Sequence, residues 1–235
     1  MPGIGLLNEK PLHASLKAWY AQPGDQLEVP VDGFVIDIVR DQALFEIQTG
    51  HFGAIKSKLA RLVCSRPVRL IYPIAREKWI VRLPGGDNVA MTRRKSSKKG
   101  RVEDLFRETV SIPQMLTHAN FSMEVLLTRE EETRRYVGRR KWRTGGWVTQ
   151  ERRLVEVLER KVFEGPACWL ALVPKELDLF TSRDLAVATG IRLDLAQKMT
   201  YSLRVAGLVR NVGKRGRATL YAIGRESPAM SPERI

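Results

Sequence analysis

The sequence predicts an α/β (α+β) protein in which a mixed sheet is flanked by helices and a smaller domain follows. Residues 31–50, VDGFVIDIVRDQALFEIQTG, place two runs of strand-forming apolar residues on either side of a short turn. Apolar residues at helical spacing precede and follow this hairpin. From Phe180 to Gly224 the pattern changes to two short helices and a second hairpin. These observations favour one sheet-based domain and one small C-terminal domain.

The first half of the chain is expected to alternate between helices and strands. Leu12, Leu16 and Tyr20 recur at helical spacing, and Pro23-Gly24 then ends the first helix. Arg66-Pro67 ends a second amphipathic helix. The predicted elements are helices 6–20, 53–64 and 102–117, the last interrupted near Pro113, and strands 27–39, 43–49, 68–74, 78–83 and 121–128.

The second half is predicted to be mainly helical. Apolar residues at positions 154, 157, 158 and 162 predict a helix that begins near Thr149, and CWLALVPKEL predicts another. Thr181 and Asp184 form a capping-box pattern, and Gly190 stops that helix. A helix at 193–206 and a hairpin around 214–217 follow. The predicted division is a sheet domain at 1–130, a basic linker at 131–150, a second domain at 151–224 and a disordered tail at 225–235.

The charge of the chain favours a polyanionic partner. Lysine and arginine number 40 against 26 aspartates and glutamates, which gives a formal net charge of +14. Nucleic acid is favoured over a membrane surface as that partner. The alternative is that the excess of basic residues reflects solubility, or a thermophile-like or GC-rich composition with abundant arginine.

Several other classes of protein are disfavoured. Cys64 and Cys168 fit no zinc or disulfide spacing and are expected to be buried free thiols of a reducing compartment. Neither a signal peptide nor an apolar run of about 18 residues is recognised, so no membrane span is expected and the protein is assigned to the cytoplasm. No glycine-rich phosphate loop precedes a helix, and the three histidines show no metal-ligand spacing.

The hairpin is expected to bring two carboxylates together. If Asp41-Gln42 is a two-residue loop, Asp37 lies opposite Glu46, with Cβ atoms about 5 Å apart. Gln48, two residues after Glu46, shares their face. Carboxylates paired in apolar strands repel each other unless a cation joins them, and Mg²⁺ favours oxygen ligands. The alternative is a pair of solvent-facing carboxylates on an amphipathic hairpin.

This arrangement resembles the PD-(D/E)XK nuclease superfamily, which has the restriction-endonuclease-like fold. Asp37 matches the Asp of its pattern, and Glu46-Ile47-Gln48 matches Glu-x-Lys with Gln in the Lys position. The order helix, hairpin, helix, strand agrees with that family. The resemblance implies that Asp37, Glu46 and the carbonyl of Ile47 hold Mg²⁺ (or Mn²⁺), that Gln48 orients the attacking water, and that Glu9 is an outer ligand.

Further residues near this motif have two interpretations each. Glu9 is either that outer ligand or a charge that favours the start of a helix. Lys56 or Lys58 either supplies the charge that Gln48 lacks or is a surface lysine. Asp32 reaches the pair only if a bulge at Gly33 re-aims it. His51 either approaches the pair or caps a helix.

The C-terminal unit resembles a winged helix-turn-helix, in which the second helix enters the major groove of DNA. The alternative is a protein-interaction module, because winged helices serve both purposes. The resemblance implies base or backbone contacts from Arg192, Gln197, Lys198, Tyr201, Ser202 and Arg204, and phosphate contacts from the wing residues Lys214, Arg215 and Arg217.

Two basic segments are further candidates for binding nucleic acid. Residues 92–101, TRRKSSKKGR, are expected to form an exposed, mobile loop. Residues 134–147, RRYVGRRKWRTGGW, mix basic residues with aromatic ones. A solvated linker is the alternative for both. The candidate residues are Arg93, Arg94, Lys95, Lys98, Lys99, Arg139, Arg140 and Lys141.

The expected function is metal-dependent endonucleolytic hydrolysis of DNA phosphodiester bonds, targeted by the winged helix to double-stranded or branched DNA. Two alternatives stay open. One is a non-catalytic DNA-binding protein or complex subunit on a nuclease-like scaffold, and the other is an RNA-acting relative. The resemblance also implies a homodimer as a possible assembly.

Overall fold

The computed structural model describes residues 10–83, 91–138 and 145–224. Glu9, Arg139, Arg140, Lys141 and the expected tail at 225–235 lie outside the described residues. The strands are β1 (Gln26–Val31), β2 (Phe34–Arg40), β3 (Ala43–Ile47), β4 (Val68–Arg82), β5 (Thr92–Lys95), β6 (Phe121–Tyr136), β7 (Trp147–Glu164), β8 (Leu179–Phe180), β9 (Val209–Arg215) and β10 (Ala218–Ile223). The α-helices are α1 (Pro11–Tyr20), α2 (Lys56–Leu62), α3 (Phe106–Thr109), α4 (Pro166–Leu170), α5 (Ser182–Thr189) and α6 (Leu193–Val205). Single turns of 3₁₀ helix span Phe52–Ile55, Val102–Leu105 and Pro113–Thr117.

A mixed sheet organises the larger part of the molecule. Its strands lie in the order β1-β2-β3-β4-β6-β7, and β5 pairs with β4 beside this path. Strands β3, β4 and β6 run parallel to one another, whereas the remaining neighbours are antiparallel. A separate three-stranded sheet has the order β8-β10-β9. The predicted mixed sheet flanked by helices is therefore confirmed.

The two faces of the large sheet are covered by different helices. Phe45 packs with Leu16 and Tyr20 of α1, whereas the preceding residue, Leu44, belongs to a second core that includes Leu59 of α2. Successive residues of a strand point to opposite faces, so α1 and α2 lie on opposite sides of the sheet. The second core continues into α3, α4 and α6, which places the C-terminal unit on the α2 side.

Tight turns join the first three strands. Asp41-Gln42 connects β2 to β3, and the predicted pairs of residues 40 with 43, 39 with 44 and 38 with 45 are confirmed. Asp32 and Gly33 connect β1 to β2 with φ angles of 51° and 83°. Two-residue hairpin turns need positive φ at such positions. The prediction of one strand over 27–39 is therefore wrong, because these residues form two strands.

The predicted helix that begins near Thr149 is wrong, because this segment is strand β7. Its composition, rich in Glu, Arg and Leu, favours a helix locally. Pairing with β6 nevertheless extends from Tyr136–Trp147 to Ser122–Glu164. Charged side chains also pair between the strands, as in the 2.7 Å contact between Arg152 and Glu130. Tertiary pairing of this length overrides a weak local preference.

Other predicted boundaries also differ from the structure. The strands expected at 68–74 and 78–83 are one strand, β4, with a register shift between Ala75 and Glu77. Residues 92–95, expected to lie in a loop, pair with β4 as β5. The helix expected at 102–117 consists of α3 between two 3₁₀ turns. The linker expected at 131–150 begins within β6 and ends within β7, because the two strands continue beyond the predicted limits.

The start and end of α5 follow the predicted capping signals. The Thr181 hydroxyl accepts a hydrogen bond from the Asp184 N–H, and the Asp184 carboxylate accepts one from the Thr181 N–H. Gly190 ends the helix with a φ of 66°. Helix α6 then leads into the β9–β10 hairpin, which β8 extends to three strands.

The C-terminal unit is docked on the sheet. Arg101 donates hydrogen bonds to the carbonyl oxygens of Thr189 and Gly190, at 2.8 and 3.1 Å. Thr109 of α3 and Ser202 of α6 are buried with their hydroxyl oxygens 3.5 Å apart. Helix α6 therefore packs on α3 through buried side chains of the core that covers one face of the sheet.

A buried carboxylate ties α1 to the sheet. Glu124 of β6 is fully buried. It accepts a hydrogen bond of 2.6 Å from the Tyr20 hydroxyl and another of 2.6 Å from the Arg160 guanidinium. Burial, followed by the interaction with Glu124, raises the pKa of Tyr20 to about 12. The tyrosine therefore stays protonated and remains a donor at physiological pH.

No helix in the described ranges is long and apolar enough to cross a membrane. Cys64 and Cys168 are free thiols, as expected. Cys64 is exposed and Cys168 is half-buried, however, so the expectation that both are buried is wrong.

Replacing Tyr20 by Phe removes the hydroxyl donor to Glu124 and keeps the ring in the core. We expect the free energy of unfolding to fall by about 1–3 kcal/mol, since a hydrogen bond to a charged group contributes about that much. Urea denaturation measures the change. The control is Tyr201→Phe, on the exposed face of α6, which should leave stability unaltered. Equal midpoints for Tyr20→Phe and the parent chain would contradict the role given to this bond.

Gly100 lies too close to β4 for a larger residue. Its N–H donates to the Ala75 carbonyl at 3.0 Å, and a Cβ would lie 2.6 Å from that carbonyl oxygen and from a methyl carbon of Ile74. We expect Gly100→Ala to lower the free energy of unfolding by about 1–3 kcal/mol through overpacking. Faster proteolysis at residues 96–100 should accompany it. Gly53→Ala, whose Cβ would meet Ser111 at an ordinary 3.7 Å, is the control.

Candidate functional site

Asp37 and Glu46 lie on the adjacent antiparallel strands β2 and β3. The ladder pairs Ile38 with Phe45, and these two carboxylates are the next residues along the strands. The Ile47 N–H donates to the Asp37 Oδ2 at 2.8 Å, which holds this carboxylate at the end of β3. The side chains of Asp37 and Glu46 are only 15% and 9% exposed.

Helices on the two faces of the sheet each bring a basic side chain to this pair. His13 of α1 places its Nε2 atom 3.2 Å from the Asp37 Oδ2. Lys58 of α2 places its Nζ atom 2.6 Å from the Glu46 Oε1 and also donates to the Val35 carbonyl at 2.6 Å. Lys56, the other candidate on this helix, is exposed. Of the two lysines, Lys58 therefore reaches the carboxylate pair.

Glu46 occupies an electrostatically unfavourable position. Within the described residues, its buried Oε2 atom has no hydrogen-bond partner. Burial, and then repulsion by Asp37, raises the pKa of Glu46 to about 7, although Lys58 and His13 act in the opposite direction. A carboxyl group with such a pKa gains from binding a proton or a cation near neutral pH.

The chemistry of the pair fits a small, hard divalent cation. Magnesium prefers oxygen ligands and commonly binds through one or two carboxylates while keeping several waters. Asp37 and Glu46 supply the carboxylates, and the Glu46 Oε2 atom is not engaged by a protein donor among the described residues. No group of three or more His, Cys, Asp or Glu side chains that could hold a metal occurs in the ranges described. Within the described ranges, a further ligand would therefore be a backbone oxygen or water.

The other residues predicted near the motif lie elsewhere. The Gln48 side-chain amide donates to the Gly50 carbonyl at 2.5 Å, so it engages the loop after β3. Asp32 lies in the turn before β2. His51 is exposed and precedes the 3₁₀ turn at Phe52 in a left-handed conformation. Glu9 lies outside the described residues.

His13 is the site residue that the sequence did not reveal. The three histidines have no ligand spacing, and a helical residue 24 positions before Asp37 follows no local pattern. The only signal is its place beside Leu12, at the border of the buried face of α1. The approach of His13 to Asp37 depends on how α1 packs on the sheet.

The basic segment at 92–101 divides into two groups. Arg93 lies over the Trp79 ring, 4.1 Å from its centroid. Arg93 forms an ion pair with Glu131 of β6, and Lys95 forms one with Glu77 of β4. These two residues therefore support the sheet. The second group lines a cleft and forms no ion pair within the described ranges; it comprises Arg94, Lys98 and Lys99.

The residues expected to contact DNA from α6 differ in accessibility. Gln197, Tyr201 and Arg204 are exposed along one face of the helix, and Lys198 is half-buried. Ser202 is fully buried against Thr109, so the predicted contact from Ser202 is wrong.

The wing residues and Arg192 are exposed. Lys214 and Arg217 have no ion-pair partner in the described part of the chain, whereas Arg215 contacts Asp184 at 2.8 Å. Arg192, before the first residue of α6, lines the same cleft as the second basic group.

The raised pKa of Glu46 predicts that stability falls as the pH rises. In the folded chain this carboxyl group keeps its proton up to about pH 7, whereas its ordinary value is 4.5. Because the folded state binds more protons in this window, the free energy of unfolding should fall by up to about 3 kcal/mol between about pH 5 and 7. Glu46→Gln should remove this fall.

Denaturation in EDTA across this pH range measures the effect. Asp41→Asn, in the turn of the same hairpin, is the matched control and should keep the pH dependence of the parent chain. The same pH dependence in the parent chain and in Glu46→Gln would show that Glu46 titrates normally.

Comparisons with known proteins identify a family. A family model described as "Domain of unknown function (DUF8091)" matches residues 10–164, which run to the end of β7 and contain the large sheet. An uncharacterized protein of Treponema pallidum (strain Nichols) is 29% identical over 225 residues, which cover 93% of this chain and 86% of that relative. No solved structure matches the chain. Since the family model spans more than half of the chain, the protein belongs to the DUF8091 domain family.

Proposed function

We propose that this protein is a metal-dependent nuclease that hydrolyses phosphodiester bonds of DNA at the Asp37–Glu46 pair. The observation that carries the proposal is the state of Glu46. Its carboxylate is buried beside Asp37, its pKa is raised to about 7, and its Oε2 atom has no hydrogen-bond partner among the described residues. Such perturbed carboxylates are more common at functional sites than elsewhere.

The order of elements around the pair supports the resemblance to PD-(D/E)XK nucleases. Helix α1, the β1–β2–β3 meander, helix α2 and strand β4 follow one another, and β4 pairs in parallel with β3. The two carboxylates occupy the strand positions that this family uses. We therefore assign the restriction-endonuclease-like fold to the large sheet as part of the proposal.

Asp37, Glu46 and the carbonyl oxygen of Ile47 would hold Mg²⁺ or Mn²⁺. The cation would neutralise the phosphate charge and lower the pKa of a bound water. The protein prepares the ligands: the Ile47 N–H and His13 fix Asp37 from two directions. Burial of Glu46 keeps competing water away from the carboxylate and strengthens its attraction for a cation.

Lys58 would take the part that lysine has in the Glu-x-Lys pattern. Gln48 carries no charge, and its amide bonds the Gly50 carbonyl. The Lys58 ammonium group reaches Glu46 from α2 instead. The ammonium group at this place would orient the attacking water and stabilise the negative charge that develops on the phosphate.

The C-terminal unit would bind the DNA that the carboxylate pair cleaves. Helices α5 and α6 and the β9–β10 hairpin agree with a winged helix-turn-helix. The exposed face of α6 offers Gln197, Tyr201 and Arg204 to a groove, and Lys214 and Arg217 offer positive charge at the wing.

A second candidate is a non-catalytic DNA-binding protein on a nuclease-like scaffold. The observation that favours it is the ion pair of Lys58 with Glu46, because the lysine already supplies a positive charge to this carboxylate. In that case Lys58 would replace the metal, and the hairpin would have a structural role.

Substitution of the two carboxylates separates these functions. We expect Asp37→Asn and Glu46→Gln each to lower Mg²⁺-dependent cleavage of labelled DNA by at least about 100-fold, since a Lewis acid contributes several kcal/mol to such a reaction. Lys58→Ala should lower the rate by about 100-fold through loss of water orientation. Asp41→Asn is the control and should cleave normally.

Calorimetric titration with Mg²⁺ and Mn²⁺ provides the second readout. The parent chain should bind the cation and Glu46→Gln should not. Identical binding of DNA with and without metal, together with no cleavage in either cation, would refute the nuclease and favour the second candidate.

A further inference from the structure

A basic cleft of about 970 Å³ lies between the large sheet and the start of α6. Strand β4, with Arg134 of β6 and Arg152 of β7, forms its floor. Arg94 of β5 and the loop at 96–100 form one wall, and α3 with the start of α6 forms the other. Thr49, three residues after Glu46 in the sequence, also lines it. The cleft therefore reaches the segment that follows the carboxylate pair.

The cations of the floor are held by buried glutamates. Lys78 contacts Glu132 at 2.8 Å, and Arg152 contacts Glu130 at 2.7 Å. Although burial by itself raises the pKa of Glu132, hydrogen bonding and charge from Lys78, and then from Arg134, lower it to about 2. Glu132 therefore stays ionised and holds Lys78 and Arg134 in place.

The cations of the loop wall have no such partner. Arg94, Lys98 and Lys99 form no ion pair within the described ranges. Across the cleft, Arg107 and Arg192 share the carboxylate of Asp194, and Arg107 also contacts Asp104 at 3.0 Å. Eight lysines and arginines line the cleft. Even after the two lining aspartates and the two buried glutamates are set against them, four positive charges remain.

We propose that this cleft holds the backbone of single-stranded DNA, an inference that rests on the proposed nuclease function and names its substrate class. Cations on the floor and on both walls surround the bound chain, which suits a single strand whose phosphates face several directions. The volume lies at the upper end of the range for small-ligand pockets, so it accommodates a few nucleotides.

The exposed face of α6 is a different surface from the cleft. Gln197, Tyr201 and Arg204 do not line the cleft. A duplex would contact this exposed face, while one strand passes through the cleft. The combination corresponds to DNA that has both a duplex and a single-stranded arm.

Binding measured without divalent cations tests the cleft separately from the chemistry. The probes are labelled oligo(dT) of about 20 nucleotides, oligo(U) of equal length and a duplex, each titrated with the full chain in EDTA. Lys98→Ala/Lys99→Ala removes two charges from the cleft wall. Arg61→Ala/Lys175→Ala removes two exposed charges outside the cleft and is the matched control.

We expect the cleft variant to weaken binding of oligo(dT) by at least about tenfold and to reduce the slope of log affinity against log salt by about 1. Arg192→Ala should weaken it in the same direction. Binding of duplex should change by less than about twofold, and the control should bind all three probes as the parent chain does.

Three results would overturn the proposal. These are unchanged binding of oligo(dT) by the cleft variant, an equal or larger loss for the duplex, and tighter binding of oligo(U) than of oligo(dT) by the parent chain. The same experiments test the proposed nuclease activity independently of the cleft. Binding of oligo(dT) through the cleft without cleavage in Mg²⁺ would refute the nuclease alone, and cleavage without dependence on Lys98 and Lys99 would refute the cleft alone.

Discussion

The pairing of β4 with its neighbours is the constraint on which the rest of the structure depends. Near its start, β4 pairs with β3 and places Leu70 beside Glu46. This pairing fixes the position of Glu46 within the sheet. Farther along, the same strand pairs with β6 and supplies Lys78 and Ile80 to the floor of the cleft. One continuous strand, β4, therefore pairs with the strand that carries Glu46 and also lines the basic cleft.

Burial of acidic residues explains how a chain with an excess of basic residues remains compact. Glu124, Glu130 and Glu132 of β6 are buried, and each contacts basic groups of adjacent strands. A buried ion pair is costly to assemble, but removing one partner costs more, so these contacts favour one register of β6 against β7. They also explain why net charge alone overestimates the surface available to an anion: many of the arginines and lysines in the strands are already paired.

Local signals predicted the parts of the fold that local chemistry determines. The Asp41-Gln42 turn and the Thr181 capping box depend on residues within a few positions, and the sequence predicts both correctly. It does not predict strand β7, because the spacing of the apolar residues there suits a helix. The segment is a strand because it pairs with β6 over a long stretch. The carboxylate pair follows from the hairpin register. Lys58 is one of two lysines on the next helix that the sequence indicates, and helix packing selects it. The approach of His13 depends on how α1 packs on the sheet, and no spacing in the sequence indicates it. The burial of Ser202 is likewise a tertiary effect, because it requires Thr109 from a distant segment.

The contact between Thr109 and Ser202 has a mechanical consequence. It joins α6 to the body of the molecule through buried atoms, with Arg101 bonded to the turn between α5 and α6. Helix α6, held in this way, has a set position relative to the large sheet. For the proposed nuclease, the distance between a duplex bound at α6 and the Asp37–Glu46 pair would then be constant. Cleavage would fall at a constant distance along the DNA from the site that α6 binds.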